Sequence, residues 1–376
     1  MSEGIAPVPN CIINHRMNLN TSLRLCAAIF LLMLAACKKD QLEPEGPLGN
    51  NIKSLNLKSI SFTPSTNALF FNSTAFGREI NGMSPSIALG TWGWTHPSVL
   101  YFENKWNNYN YWAALTPYPD IDSQYENPHI FCSNDGITWI EPRGILNPIE
   151  RCPTEGGFNS DVNLMMDNDL LYCYWRATEP KERVIYVRSS NDGIHWGEKK
   201  LVCKMPFDVV DVISPTFLKD EDKYYCYAVC GKETTAGGYF NNYAIRRMIS
   251  LDATEFKPEK NSGFDLINIE GRPWGANQEP WHIEVRKLKN IWMLLVTTTT
   301  LDAYGSGGRL FMGYSTDGIT FKFNDQPICS AVGSSYKSSF NPSLDAKNKK
   351  INVHLWRAMM SYGWAVFSDN FSIKVN

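Results

Sequence analysis

The chain has 376 residues, with 36 Lys+Arg against 38 Asp+Glu. That balance excludes the strong basic excess of a nucleic-acid binder. Aromatic residues make up 13% and charged residues 20%, a composition that buries a large core and excludes global disorder.

Arg24 precedes an apolar run from Leu25 to Leu34, followed by Ala35, Ala36 and Cys37. A run of about 10–12 apolar residues is too short to span a bilayer and fits the hydrophobic region of a signal peptide. Leu34-Ala35-Ala36-Cys37 resembles a bacterial lipobox, in which Cys37 becomes the lipidated first residue. Residues 1–36 are therefore expected to be a signal peptide, with Met17 as a second candidate start. Residues 37–58, which carry Pro44, Gly46, Pro47 and Gly49, read as a lipid-anchored flexible linker. The expected location is the bacterial outer membrane or cell surface, with membrane contact through the N-terminal lipid alone.

The rest of the chain is periodic. Ser133-Asn134-Asp135-Gly136-Ile137-Thr138-Trp139 recurs as Ser190-Asn191-Asp192-Gly193-Ile194-His195-Trp196 and as Ser315-Thr316-Asp317-Gly318-Ile319-Thr320-Phe321. Ser250–Phe256 is a degenerate copy, and Ser368-Asp369-Asn370-Phe371 is a weaker fifth. Asp-Gly between apolar runs signals a hairpin, because glycine takes a positive φ without steric cost. Ahead of each turn lies an aromatic strand, such as Tyr111–Ala114, Tyr174–Ala177 or Leu355–Ala358. Further upstream a third strand opens on a polar residue, usually followed by proline, which is tolerated at a strand start. Five such units predict an all-β, five-bladed β-propeller with four-stranded antiparallel blades over 59–376. The segment Ser59–Phe71 is expected to close the ring by adding a strand to the last blade. After Cys37 seven cysteines remain, so at least one is expected to stay unpaired within the chain.

The first strand of a propeller blade lines the central channel, so its opening residue sits at one rim. His96, Asp161, Ser214, Glu279 and Asn341 hold that position here. Asp161 and Glu279 are the leading candidates, because two carboxylates at one concave site move each other's pKa and suit an acid paired with a base. Asp211, in the apolar run Val209–Val212, is a third catalytic candidate. Trp94, His96, Glu126, Arg176, Trp281, His282 and Asn341 are candidate substrate contacts. Each has a structural alternative: the tryptophans as core, the histidines as satisfied core groups, Arg176 and its blade-five equivalent Arg357 as inter-blade ion pairs. No metal-ligand spacing, phosphate-binding glycine loop or nucleophile triad stands out, and no cofactor is expected beyond room for a structural calcium ion.

The Ser-x-Asp-Gly-x-x-Trp turns and polar-Pro strand starts resemble those of the five-bladed propeller glycoside hydrolases of the family 43/family 32 superfamily, over about residues 90–376. The resemblance implies a catalytic aspartate on blade two, which Asp161 matches. It also implies an aspartate on blade one and a glutamate on blade three, where this chain has His96 and Ser214, so the chain reads as a divergent member. The expectation is a monomeric glycoside hydrolase with a carbohydrate substrate, Glu279 as acid, Asp161 as base or partner and Asp211 tuning the pair. A non-catalytic surface glycan-binding protein is the alternative. A sialidase-like enzyme would instead need an arginine triad, and a purely structural propeller would lack a polar cleft at the rim.

Overall fold

The computed structural model describes residues 51–73, 90–151, 157–179, 182–206, 211–233, 240–256, 265–300, 308–330, 335–360 and 363–376. The expected signal peptide and Cys37 lie outside the described residues, as does most of the expected linker. Two short strands, β1 (Leu55–Asn56) and β2 (Phe70–Asn72), precede the first repeat. Blade one is β3 (Trp94–Trp106), β4 (Tyr109–Pro117), β5 (His129–Ser133) and β6 (Thr138–Ile140). Blade two is β7 (Phe158–Asp167), β8 (Leu170–Glu179), β9 (Glu182–Ser190) and β10 (Lys200–Pro206). Blade three is β11 (Asp211–Asp220), β12 (Lys223–Glu233), β13 (Phe240–Ser250) and β14 (Asp265–Leu266). The short β15 (Asn268–Glu270) leads into blade four, with β16 (Gln278–Leu288), β17 (Ile291–Thr300), β18 (Leu310–Ser315) and β19 (Thr320–Phe323). Blade five is β20 (Ser338–Asp345), β21 (Lys350–Met360) and β22 (Trp364–Val375).

Each blade is an antiparallel meander, and the expected five-bladed propeller is observed. The inner strands β3, β7, β11, β16 and β20 are neighbours in that order, and β20 returns to β3 to close the ring. The closing strand comes from an earlier segment than the sequence pattern indicates. β1 pairs with β22 through Leu55↔Val375, so Leu55 and Leu57 are buried core residues rather than linker. β2 instead adds a fifth, parallel strand to β6 of blade one, as β15 does to β19 of blade four. Both additions cover an outer edge that would otherwise present unpaired backbone groups.

The repeated turn has a local cause. Ser133 Oγ accepts from the Gly136 N–H at 2.9 Å, and Asp135 Oδ1 accepts from the N–H groups of Ile137 and Thr138 at 2.8 and 2.7 Å. The same bonds recur at Ser190/Asp192 and Ser315/Asp317. Gly193 sits at φ 74°, and a Cβ there would lie 2.1 Å from the ring of Trp112 in the preceding blade, so only glycine fits. Trp139 donates Nε1–H to Gly136 O and is buried, whereas Trp196 makes the equivalent bond half-buried. The fifth copy is different: Asp369 turns inward and pairs with Arg357 at 2.6 Å, both fully buried. Among the described residues no disulfide forms, and Cys132, Cys173, Cys203 and Cys226 are buried thiols.

Candidate functional site

Bonds between blades fix which residues share a level of the channel. Ser98 Oγ accepts from Leu164 N, Asn163 Oδ1 from Phe217 N, Thr216 Oγ1 from Val285 N, and Ser339 Oγ from Val99 N. Each acceptor therefore meets the backbone one residue past its counterpart in the next blade. Ser98, Asn163, Thr216, Glu284 and Ser339 form one rung. Asn163 Nδ2 lies 3.4 Å from Ser98, 3.3 Å from Thr216 and 3.1 Å from Glu284. Two residues nearer the mouth, the next rung is His96, Asp161, Ser214, His282 and Lys337. Beyond the other side of the Ser98 rung, Arg286 pairs with Glu284 at 2.5 Å and reaches the carbonyls of Phe340 and Val99, filling the channel.

The rim expectation holds for His96, Asp161 and Ser214 and is corrected in the last two blades. Glu279 lies three residues before the rung, and its Oε2 accepts from the Tyr243 N–H at 3.3 Å. Asn341 lies four residues past it and donates to Val99 O at 3.1 Å. His282 and Lys337 take the two places. In blades one to three the rung residue opens a β-bulge at positive φ: 50° at His96, 52° at Asp161 and 51° at Ser214. Non-glycine residues seldom adopt that conformation, and bulges aim side chains at functional sites.

His96, Asp161 and His282 converge. One ligand atom from each lies within 4.8 Å of the others, and all three are buried. Asp161 Oδ1 is 3.1 Å from His282 Nδ1 and 3.6 Å from His96 Nε2. Asp161 Oδ2 forms an ion pair with Arg176, whose Nε lies 2.9 Å away, and Arg176 Nη2 donates to Ser160 Oγ. Burial alone would raise the Asp161 pKa, but Arg176, His96 and His282 together hold it well below the usual carboxylate range. Burial lowers both histidines, against the pull of Asp161, so the rings are neutral at pH 7 and carry free lone pairs. His96 Nδ1 bonds Thr116 Oγ1 at 2.7 Å. The hydroxyl accepts the Nδ1 proton in the tautomer that leaves Nε2 open toward Asp161.

The group fits a divalent cation. Asp161 Oδ1 and both ring nitrogens of His282 are buried without an aligned hydrogen-bond partner, an arrangement that is costly unless something else binds there. Two imidazoles and one carboxylate with open positions form a donor set used by zinc and other first-row metals. Sequence reading alone finds no such set, because the ligands sit on blades one, two and four with no local spacing to mark them.

Glu126 caps a 3₁₀ turn (Ser123–Tyr125) between β4 and β5, and its Oε1 lies 3.5 Å from His96 Nδ1. Burial, then the charge of Asp161, raises its pKa well above the usual value. Lys337 is fully buried, its Nζ 3.2 Å from Ser214 Oγ. Burial lowers its pKa, while Glu284 and Asp161 act against that shift. An aromatic wall adjoins the rung. The Tyr336 ring is 4.2 Å from His282 and 4.6 Å from Trp364, and half-buried Trp281 stands 5.8 Å from His282. Trp94 is not part of it: fully buried, it packs on Phe71, Phe131 and His129, so it offers no exposed stacking face. Asp211 begins β11 opposite Gly231, and its side chain is outside the described residues. Arg357 is consumed by Asp369, whereas its counterpart Arg176 serves Asp161.

No family model matches the chain. A curated relative, the A type blood N-acetyl-α-D-galactosamine deacetylase of Flavonifractor plautii, is 28% identical over 268 residues, covering 61% of this chain and 34% of its own length. The chain thus spans about a third of that relative. A crystal structure of an N-acetylgalactosamine deacetylase from F. plautii, in complex with blood group B trisaccharide, aligns with TM-score 0.67 at 19% identity, over 84% of this chain and 95% of that one. A thermostable family-43 glycoside hydrolase aligns with TM-score 0.54 at 17% identity, over 76% and 93%. The chain therefore carries the five-bladed propeller fold that this deacetylase and this glycoside hydrolase share.

Proposed function

We propose that this chain is a metal-dependent hydrolase that removes an acyl group from an acylated amino sugar at the channel mouth. The buried His96–Asp161–His282 triad, with one ligand atom from each within 4.8 Å of the others and with Asp161 Oδ1 and the His282 ring nitrogens unmatched, carries this reading. The name of the Flavonifractor relative supports it. A divalent cation in such a site polarises a carbonyl and lowers the pKa of water from about 15.7 toward 7. Arg176 keeps Asp161 anionic, and Thr116 keeps the His96 ring oriented. Glu126, whose pKa burial raises well above the usual carboxylate value, is the proton carrier and delivers a proton to the leaving nitrogen. Tyr336 and Trp281 present aromatic surface to a sugar ring.

Glycoside hydrolysis is the second reading, supported by the fold shared with a family-43 enzyme and by the raised pKa of Glu126. There Asp161 would work with Glu126 or Glu279, and Asp211 would tune the pair. The four guanidinium, imidazole and hydroxyl groups around Asp161 and its neighbour His96 favour the first reading, because they leave the carboxylate little access to an anomeric carbon. In either case the substrate is a carbohydrate, and the lipobox-like Leu34–Cys37 would place the enzyme on the bacterial surface.

The test is a panel of N-acetylated and non-acetylated oligosaccharides, with product masses and free acetate measured with added Zn²⁺, Mn²⁺ or Co²⁺ and with chelator. Acetate release that needs the cation supports the proposal. New reducing ends with acetyl groups retained move the assignment to a glycosidase. Saturable binding without product moves it to a glycan-binding protein.

A further inference from the structure

Lys337 poses a physical problem that the acyl-hydrolase reading does not use. Its side chain is fully buried in the mouth rung. Lysine is rarely buried completely unless paired, because an unpaired ammonium loses its hydration. Among the described residues no carboxylate forms an ion pair with it. Glu284, which acts on it electrostatically, is paired with Arg286, and Asp161 is paired with Arg176. Its one hydrogen bond goes to Ser214 Oγ at 3.2 Å. That hydroxyl is fixed in turn: it accepts from Ile283 N and donates to Ile283 O, both at 3.1 Å. Ser214 is thus a positioning residue for Lys337. Two of the three N–H groups of Lys337 have no protein acceptor among the described residues.

We infer that Lys337, held by Ser214, is the binding site for a small monocarboxylate of the acetate class, on the same rung as the His96–Asp161–His282 group. This rests on the acyl-hydrolase reading for its biological ligand. Amide hydrolysis adds a water oxygen to the carbonyl carbon and breaks the C–N bond. Both water protons end on the nitrogen, one of them by way of Glu126, so the products are an ammonium and a carboxylate. A carboxylate leaving the rung meets an ammonium with two open donors, the charge-assisted pairing that such an anion prefers. The compact lysine ammonium suits a small anion better than the broad guanidinium fork would.

The probe is sodium acetate, titrated into the full chain by calorimetry at constant ionic strength, with chloride as the balancing anion. Wild type is expected to bind acetate saturably, Lys337→Met to bind it at least about tenfold more weakly, and Ser214→Ala to fall between. Replacing an unpaired buried charge by an apolar side chain of similar volume is tolerated, so Lys337→Met is expected to fold. If it does not, Ser214→Ala and an acetate-dependent rise in wild-type melting temperature carry the test. No acetate binding to wild type, or equal affinity in the variants, overturns the site. Acetate bound through Lys337 without deacylation of any sugar keeps the site and overturns the hydrolase reading. Deacylation with acetate binding indifferent to Lys337 does the reverse.

Discussion

Asp161 Oδ1 and His282 Nδ1 lie 3.1 Å apart, fully buried, on strands of blades two and four. Neither atom has an aligned hydrogen-bond partner. Two buried ligand atoms this close, with no aligned hydrogen bond to either, are what a shared cation would produce. The same pair explains why Asp161 needs Arg176. Without that guanidinium a buried carboxylate beside two neutral rings would take up a proton, and its lone pair would be lost to the site.

Arg176→Met is therefore predicted to weaken divalent-cation affinity by about 10–100-fold, the usual cost of losing an outer-shell partner to a ligand. The pH dependence fixes the cause. A protonating Asp161 makes the loss grow as pH falls, so affinity in the variant drops more steeply between pH 7 and 5 than in wild type. Equal pH profiles would leave Arg176 with a packing role only. Metal titration at several pH values reads this directly.

His354 predicts a pH dependence of stability away from the site. Burial lowers its pKa to about 4, with Asp369 opposing. Its ring stacks on Trp356 at 3.8 Å, and Nε2 meets Ser368 Oγ at 2.7 Å. The folded-state value is below the unfolded value of about 6.5. The unfolded chain therefore binds the extra proton first as pH falls. This contribution to stability is complete above about pH 6.5, declines on acidification and levels off below about pH 4. Its size is at most roughly 3 kcal/mol. His96 and His282 act with the same sign, so the difference between wild type and His354→Gln isolates this ring. Urea unfolding at pH 7 and pH 5 is expected to show a smaller loss in the variant.

The buried pair of Arg357 and Asp369 gives a stability prediction. Arg357 Nε reaches Asp369 Oδ2 at 2.6 Å, and Asp369 Oδ1 accepts from the Ser65 N–H at 2.5 Å. Asp369→Ala removes the carboxylate that faces a buried guanidinium and releases the strap that carries Ser65. The expected cost is about 3–5 kcal/mol, measured by denaturant unfolding. Asp122→Ala, at a partly exposed turn, is the comparison, with an expected cost near 1 kcal/mol.

Much of the fold was legible because its signals are local. Ser133, Asp135 and Gly136 bond within one turn, so the motif that makes the turn is visible as a motif, and its recurrence counts the blades. Membership of the mouth rung was legible only where the bulge and the strand start coincide, at His96, Asp161 and Ser214. Proline misled elsewhere. Pro97 and Pro215 follow their rung residues directly, but Pro280 stands two residues before His282 and Pro342 stands five after Lys337. Glu279 and Asn341 therefore share a motif with the rung without sharing its position. Trp94 was ambiguous for another reason: the residue that covers it, Phe71, arrives on β2 from outside the repeats. His96, Asp161 and His282 were each visible as site candidates, but nothing in one dimension marked them as one ligand set, since ring closure alone brings the three blades together.

The measurement that tests the account most directly is a Co²⁺ titration of the full chain followed by visible absorption, beside His282→Ala and His96→Ala. The account predicts saturation at a single Co²⁺ with ligand-field bands of a low-coordinate nitrogen and oxygen site, and loss of those bands in both variants while the fold persists. Saturable bands that survive both substitutions, or no saturable binding to wild type, would contradict the assignment of the triad as a metal centre.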